Sequence, residues 1–320
     1  MNDLQSILHP AGPDAAIINQ FSWVLFVGGA LIFVFVMALV ALAMRRQAHP
    51  IRPRIWIFGA GIAFPVVVLT ALLVWSTWRS AQLAPQTSHD ALTIAVTGKM
   101  WWWEVRYRDP TTNREIVTAN EIHIPVGEPV YLGLSASDVI HSLWVPALAG
   151  KRDMIPGRVT GLRLRADKPG VYRGQCAEYC GEQHARMAFH VIALPRAEYD
   201  AWLARQAQPA RPADTTVLRR GRDAFLAQQC QACHTIRGVT DVAPFSQQER
   251  IADTSRLGPD LTHVGSRREI AAGTLRNHRG TLAGWIADPQ AIKPGVFMPP
   301  SQDLDGETLR ALATYLEHLK

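Results

Sequence analysis

With 320 residues, the chain has room for two ordinary domains and additional segments. Its 33 basic and 27 acidic residues give a formal net charge of +6. That charge is diffuse, and no Lys/Arg run interleaved with aromatics occurs, which argues against nucleic acid as a partner. The four cysteines fall in two close pairs, Cys176/Cys180 and Cys230/Cys233. Two disulfides are the plainest reading of such pairs in an exported protein, but both pairs sit inside ligand-type motifs.

Residues 1–20 read as a short N-terminal segment outside the membrane, and 21–79 as a transmembrane helix hairpin with spans at about 21–44 and 55–78. Phe21 to Met44 contains no charged residue, and neither does Ile55 to Trp78. Each would rise about 36 Å as a helix, enough for a hydrocarbon core of about 30 Å. A kink at Pro65 is tolerable in such a span. The first span is too long for a signal peptide and lacks a basic leader. Arg45, Arg46, Arg52 and Arg54 make the connecting loop positive, which predicts a cytoplasmic loop and both termini on the outer face.

From about 90 to 200 the chain reads as a β domain. Ala91–Thr97, Val130–Leu134, Gly161–Arg165 and Met187–Leu194 are β-branched or apolar runs. They are punctuated by Gly127, Pro129, Pro156-Gly157 and Pro169-Gly170. An antiparallel sandwich or barrel is expected. Inside it lies Cys176-Ala-Glu-Tyr-Cys180-Gly-Glu-Gln-His184-Ala-Arg-Met187, with two thiols, an imidazole and a thioether in twelve residues. Soft sulfur with imidazole selects copper or zinc. A single blue-copper ion needs one Cys, and a second bridging thiolate allows two coppers to share both sulfurs. Zinc could use the two cysteines, His184 and a remote His, but has no need of Met187. His141 is well placed to supply the further imidazole.

Residues 204–216, rich in Pro, Ala, Gln and Arg, read as a linker, and 217–320 as a helical domain. Leu309, Leu312, Tyr315, Leu316 and Leu319 share one helix face, with Asp305 a candidate N-cap. Cys230-Gln-Ala-Cys233-His234 is a c-type haem attachment motif, for which zinc and redox Cys-x-x-Cys sites compete. Two thioethers and a proximal His234 would hold the haem, and Met298 in Val-Phe-Met-Pro-Pro offers a sixth ligand. His263 and His278 are rival axial ligands. Gly221-Arg-Asp-Ala-Phe225, Gly258-Pro-Asp-Leu261 and Trp285 add to the likeness of this region to class I cytochromes c.

Gly98-Lys-Met-Trp101-Trp102-Trp103, Val139-Ile-His141-Ser-Leu-Trp144-Val-Pro146, Ile155-Pro-Gly157 and Gly174-Gln-Cys176-Ala-Glu-Tyr-Cys180-Gly resemble the subunit II family of cytochrome c oxidase. The likeness spans about 15–200 and, with the haem motif, extends to a caa3-type arrangement in which a cytochrome c is fused to the copper subunit. It implies a cupredoxin-like copper domain, an all-α class I cytochrome c domain, and a binuclear copper centre, CuA. Its ligands would be His141, Cys176, the backbone carbonyl of Glu178, Cys180, His184 and Met187. It further implies a magnesium ion at a subunit interface through the Glu178 side chain, electron entry at Trp101, and support of the copper ligands by Asp138. Trp102 and Trp103 can equally be packing residues. In the family many members carry a glutamate near the second membrane helix, and no Asp or Glu occurs here from Gln47 to Trp78.

The implied function is electron transfer from haem c to CuA and on to haem in subunit I. Oxygen reduction there is coupled to proton translocation, so the chain is an enzyme subunit that does not itself carry the oxygen chemistry. The implied partners are subunits I and III, an external cytochrome or other donor, and the lipid bilayer. The implied location is a bacterial inner membrane with the soluble domains on the periplasmic side. A copper and cytochrome subunit of a nitric-oxide reductase is the alternative. Fusion through a tether gives the donor a high effective concentration at the copper, so shortening the 204–216 segment is expected to slow transfer.

Overall fold

The computed structural model describes residues 5–45, 52–83, 92–240, 257–301 and 303–320. Most of the arginine-rich loop and Ala91 therefore lie outside the described residues.

Two helical stretches, Pro13–Arg45 and Ile55–Leu83, are long and apolar enough to cross a membrane. Helix α1 (Pro13–Arg45) starts eight residues before the predicted span. Pro13 suits the first helical position and Asp14 the positive end of the helix dipole, neither of which a count of apolar residues registers. Asp14 is buried against the β domain, where Arg163 donates to it at 2.7 Å. In the second stretch, Ile55–Ala63 is π-helical and passes directly into α2 (Phe64–Ser80). The Phe64 N–H reaches back five residues to Gly59, so the wider turn ends where Pro65, which has no N–H, begins the tighter one.

The β domain is a sandwich of two five-stranded sheets, cupredoxin-like in architecture. One sheet holds β1 (Leu92–Lys99), β2 (Trp102–Arg108), β3 (Glu115–Ala119), β5 (Val130–Ala136) and β8 (Thr160–Leu164), in the order β3-β2-β1-β5-β8. The other holds β4 (Glu121–Pro125), β6 (His141–Trp144), β7 (Arg152–Met154), β9 (Gly170–Cys176) and β10 (Ala188–Leu194), in the order β4-β10-β9-β6-β7.

The sheets are mixed rather than purely antiparallel: β1 pairs with β5, and β4 with β10, in parallel. Asn120 is the reason that can be named. With φ of 62° it turns the chain out of β3, and its side-chain carbonyl accepts from Trp103 N at 2.9 Å. The chain thereby leaves the first sheet for the second before returning as β5, the crossover that a parallel pair requires. Strand β5 alternates buried and half-buried residues, as a strand with one wet face should, whereas β4 is buried throughout. Its outer face is covered: His123 stacks on Trp202 of α3 (Arg196–Gln206) at 3.9 Å, and Glu121 meets the C-terminal domain.

The C-terminal region packs α4 (Thr216–Ala227) against α7 (Gly306–His318), with α5 (Arg279–Ala287), α6 (Pro289–Ile292) and a small hairpin, β11 (Glu269–Ile270) and β12 (Leu275–Arg276). A Cβ at Gly221 would stand 2.2 Å from the Ala311 carbonyl, so the α4–α7 crossing requires glycine. Asp305 caps α7 by accepting from Glu307 N and Thr308 N, both at 2.9 Å.

The stretch read as a linker is not a free tether. Helix α3 runs to Gln206, and Ala210 and Ala213 pack on the C-terminal core. Ala210 N donates to Arg237 O at 2.9 Å, and Arg237 donates to Gln206 O at 2.7 Å. Alanine and proline gave no periodic signal, yet they are small enough to lie flat on a neighbour.

Candidate metal and haem centres

The end of β9 delivers Cys176, and the loop to β10 carries Cys180, then His184 at the start of a short 3-10 turn, His184–Arg186, and Met187 directly after that turn. Strand β6 brings His141 from thirty-five residues earlier, because β6 and β9 are neighbours with Leu143 opposite Cys176. The donors converge. Cys176 Sγ lies 3.7 Å from Cys180 Sγ, 3.9 Å from His141 Nδ1 and 3.2 Å from the Glu178 carbonyl oxygen. Cys180 Sγ lies 3.7 Å from His184 Nδ1 and 3.8 Å from Met187 Sδ. Among the described residues, His141, Cys176 and Cys180 form a cluster of potential metal ligands whose donor atoms all lie within 4.8 Å of one another. All four cysteines are free, so neither pair is a disulfide.

The electrostatics favour anionic sulfur. The hydrogen bond from Cys180 holds the Cys176 thiol well below its ordinary value, and the same contact, with burial, drives Cys180 up. Two soft thiol sulfurs, two imidazole nitrogens, a thioether and a carbonyl fit two copper ions better than one zinc, which fills with four donors.

Asp138 and glycine shape the His141 side. Asp138 Oδ1 lies 2.8 Å from His141 Nε2, and its carboxylate also accepts from Met100 N and Val139 N, both at 2.7 Å. Burial alone would lower the pKa of His141, but the bonds to Asp138 and Cys176 outweigh it and raise it. The His141 ring is therefore pinned at Nε2 and presents Nδ1 to sulfur. A Cβ on Gly98 would stand 2.8 Å from that ring, so glycine gives it space.

The other predicted residues fall around this core. Trp101 is only 8 % exposed and donates from Nε1 to the Cys180 carbonyl at 2.8 Å. Its ring is covered by Phe297, stacked at 6.3 Å between centroids and 18° between planes. Trp103 lies edge-on to Phe189 and His141 in the sandwich core, and Trp102 packs with Ala119 and Ala272. The Glu178 carboxylate is 3.6 Å from Lys151 Nζ on the surface.

In the C-terminal domain, Cys230, Cys233 and His234 follow directly on α4. His234 is half-buried, desolvation lowers its pKa, and its Nδ1 bonds the Pro259 carbonyl at 2.8 Å. That bond assigns the proton to Nδ1 and leaves the Nε2 lone pair for a metal. A Cβ on Gly258 would come within 2.4 Å of the His234 ring, so the Gly-Pro pair is a cradle for this imidazole. Met298 is partly buried on the core, and its turn is held by Gln290, whose amide donates to Val296 O at 2.6 Å and Met298 O at 3.1 Å.

These residues fit a c-type haem: two free thiols, an oriented imidazole and a fixed thioether. The rival histidines are otherwise engaged. His263 Nε2 bonds Gln208 O at 3.1 Å, and His278 caps α5 by accepting from Gly280 N at 3.1 Å. Gln290, Phe297 and Lys293 were not singled out from sequence, because their roles depend on which loop faces which domain.

Comparison with known proteins agrees with this division of the chain. Residues 110–194 match the family described as cytochrome C oxidase subunit II, periplasmic domain, and residues 218–320 match cytochrome c. The chain is 38 % identical over 261 residues to cytochrome c oxidase subunit 2 of Alkalihalophilus pseudofirmus, covering 80 % of this chain and 71 % of that one. It is 32 % identical over 270 residues to the subunit 2 of Bacillus sp. PS3, covering 80 % and 72 %. A crystal structure of the periplasmic domain of subunit II (CoxB) from Bradyrhizobium japonicum is 30 % identical, with a TM-score of 0.34 over 38 % of this chain and 95 % of that one. A two-helix, β-sandwich and cytochrome c chain of this kind belongs to the cytochrome c oxidase subunit 2 family. Its two domain families point to copper and haem c as its cofactors, and to the other subunits of an oxidase as its partners.

Proposed function

We propose that this chain is the electron-receiving subunit of a caa3-type cytochrome c oxidase, taking electrons on its cytochrome c domain and passing them through its copper domain to subunit I. Cys230 and Cys233 would hold haem c covalently, with His234 and Met298 as axial ligands. Cys176 and Cys180 would bridge the binuclear CuA centre, with His141, His184, Met187 and the Glu178 carbonyl completing it. The Glu178 side chain would face a magnesium ion shared with subunit I, and subunit III completes the expected assembly. When bound, the haem and the copper pair each supply a one-electron redox couple, and a His/Met haem has the raised potential that suits a donor.

The chain's own residues do the positioning. Asp138 orients His141, Pro259 orients His234, and Gln290 holds the Met298 turn. The sandwich buries Cys176 and Cys180, which keeps water from the sulfurs and limits reorganisation. Two apolar helices anchor the domains at a membrane, and the arginine-rich loop supports an arrangement with both termini and both soluble domains on the periplasmic side of a bacterial inner membrane.

The observation that carries this reading is the run of sulfur and nitrogen donors from His141 through Cys176 and Cys180 to His184 and Met187, each step 3.7–3.9 Å. The oxidase names of the relatives do not favour the nitric-oxide reductase alternative. Metal analysis and spectroscopy of the purified full-length chain test the proposal. Two coppers per haem, a mixed-valence copper EPR signal and a low-spin haem c spectrum are expected. Zinc in place of copper, or a Cys176–Cys180 disulfide in the active protein, would refute it.

A further inference from the structure

Lys293 follows α6 in the cytochrome c domain and is 1 % exposed. Its Nζ donates to Trp101 O at 2.9 Å, Arg186 O at 2.8 Å and Ala271 O at 3.1 Å. An ammonium has three N–H donors and no acceptor, so each of its protons has a carbonyl. Two of those carbonyls belong to the copper domain: one to the tryptophan beside the sulfurs, the other to the residue preceding Met187. The third belongs to the cytochrome's own hairpin turn. Burying an amine is unfavourable unless it is satisfied, and burial here pulls Lys293 down to about 7. A core lysine of this kind is an arrangement that requires both domains.

The contacts around it converge on the same loop. Gln183 donates to Pro294 O at 2.7 Å, the Arg186 guanidinium donates to Ile292 O, and Ala188 N donates to Ala272 O at 3.0 Å. Residues 183, 186 and 188 alternate with, or flank, the candidate ligands His184 and Met187. The turn that follows Lys293 then lays Phe297, the neighbour of Met298, over Trp101, whose indole N–H is bonded to the Cys180 carbonyl.

We infer that Lys293 is a positioning residue that clamps the cytochrome c domain onto the copper loop, so that Phe297 against Trp101 forms a standing contact for electron entry. The inference rests on the haem and copper assignments made above. It replaces transfer by repeated encounters on a tether with transfer inside one docked arrangement.

The test uses the assembled oxidase, with internal electron transfer from haem c to copper followed after flash reduction at increasing sucrose viscosity. Wild type should be fast and independent of viscosity. Lys293→Met removes all three bonds, each worth about tenfold or more in an equilibrium when the donor is charged. Its transfer should slow by about tenfold and become viscosity-dependent, because the domain must now find its place. Phe297→Leu keeps the clamp, so it should slow transfer a few-fold and stay independent of viscosity.

Without any substitution, Lys293 in the native complex should resist acylation by a water-soluble amine reagent that labels the exposed Lys320. Ready labelling of Lys293, viscosity-dependent transfer in wild type, or an unaltered rate in Lys293→Met would each overturn the clamp. The haem c and copper spectra of the same wild-type sample separate the two claims: their absence counts against the assignments, and their presence leaves the clamp to the kinetics.

Discussion

The two candidate centres are built by different means. The copper donors hang from paired strands: β6 beside β9 sets His141 against Cys176, and β9 paired with β10 sets the ends of the ligand loop. The haem donors hang from turns. His234 is fixed by the Pro259 carbonyl and Met298 by Gln290, sixty-four residues of sequence separating the two ligands. A sheet register constrains every side chain along it, whereas a turn is only as firm as its few hydrogen bonds. The copper centre is therefore expected to tolerate loss of its supporting bonds better than loss of its sulfurs. The haem centre should be loosened by a single amide.

The sharpest break in that comparison is at sulfur. Cys176→Ser removes the atom that touches Cys180, His141 and the Glu178 carbonyl together, and no register can replace it. Oxidase activity should fall more than about a hundredfold, beyond the range for residues that only support a ligand. The copper EPR signal should vanish while the haem c spectrum stays. A variant that keeps the mixed-valence signal would show that the sulfurs are not the bridge.

Glu121 tests the seam between the two regions. It lies at the start of β4, is buried, and accepts from Arg268 N at 2.6 Å. Burial pushes its carboxyl up from 4.5 to about 7, against the opposing pull of Arg267 and Arg268, with Glu269 adding to the rise. A carboxyl with a raised folded pKa holds more protons folded than unfolded between those values. Stability should therefore fall as pH rises from about 4.5 to 7, by up to about 3 kcal/mol, and level off above. Glu121→Gln should flatten that slope. Melting temperatures of both proteins at pH 5 and pH 7.5 read the difference directly; parallel curves would rule the carboxyl out as its source.

A smaller change is expected at Asp138. Asp138→Asn keeps the size but weakens the hold on His141 Nε2, and a support of this kind is worth about 10–100-fold in metal affinity. Copper retention during dialysis against a chelator measures it. Because β6 still places His141, the folded protein should melt within about 1 kcal/mol of wild type. A large stability loss with unchanged copper affinity would reverse the roles of sheet and carboxylate.

How much of this was legible beforehand divides along the same line. The ligand motifs carry their chemistry in adjacent residues, so Cys176 to Met187 and Cys230 to His234 stood out, and the two apolar runs announced helices. The parallel pairing of β1 with β5 did not, because strand direction depends on a crossover that Asn120 initiates and no local pattern encodes. The early start of α1 was hidden behind Asp14, a charge that reads as outside a span until Arg163 is known to meet it. The covering of Trp101 by Phe297 was not legible either, since the two residues lie nearly two hundred positions apart. The Pro/Ala stretch after α3 looked like free chain because packing by small residues leaves no periodic trace.

Gln290 closes the comparison on the haem side. Its amide nitrogen donates to Val296 O and Met298 O while its carbonyl accepts from Gly295 N at 2.9 Å, so one side chain replaces the pairing that a strand would provide. Gly295 itself has φ of 82°, a turn that glycine adopts freely and that needs such bracing to persist. Gln290→Leu keeps the volume and removes all three bonds, each worth about 1 kcal/mol when neutral groups are involved. Global stability should drop by about 1–2 kcal/mol, but the local effect on Met298 should be larger in consequence. On the ligation proposed above, a loosened turn would free the Met298 position, and carbon monoxide should bind the reduced haem c of the variant while wild type excludes it. If Gln290→Leu excludes carbon monoxide as well as wild type does, the Met298 turn is held by packing alone, and the contrast between a sheet-built and a turn-built centre loses its haem half.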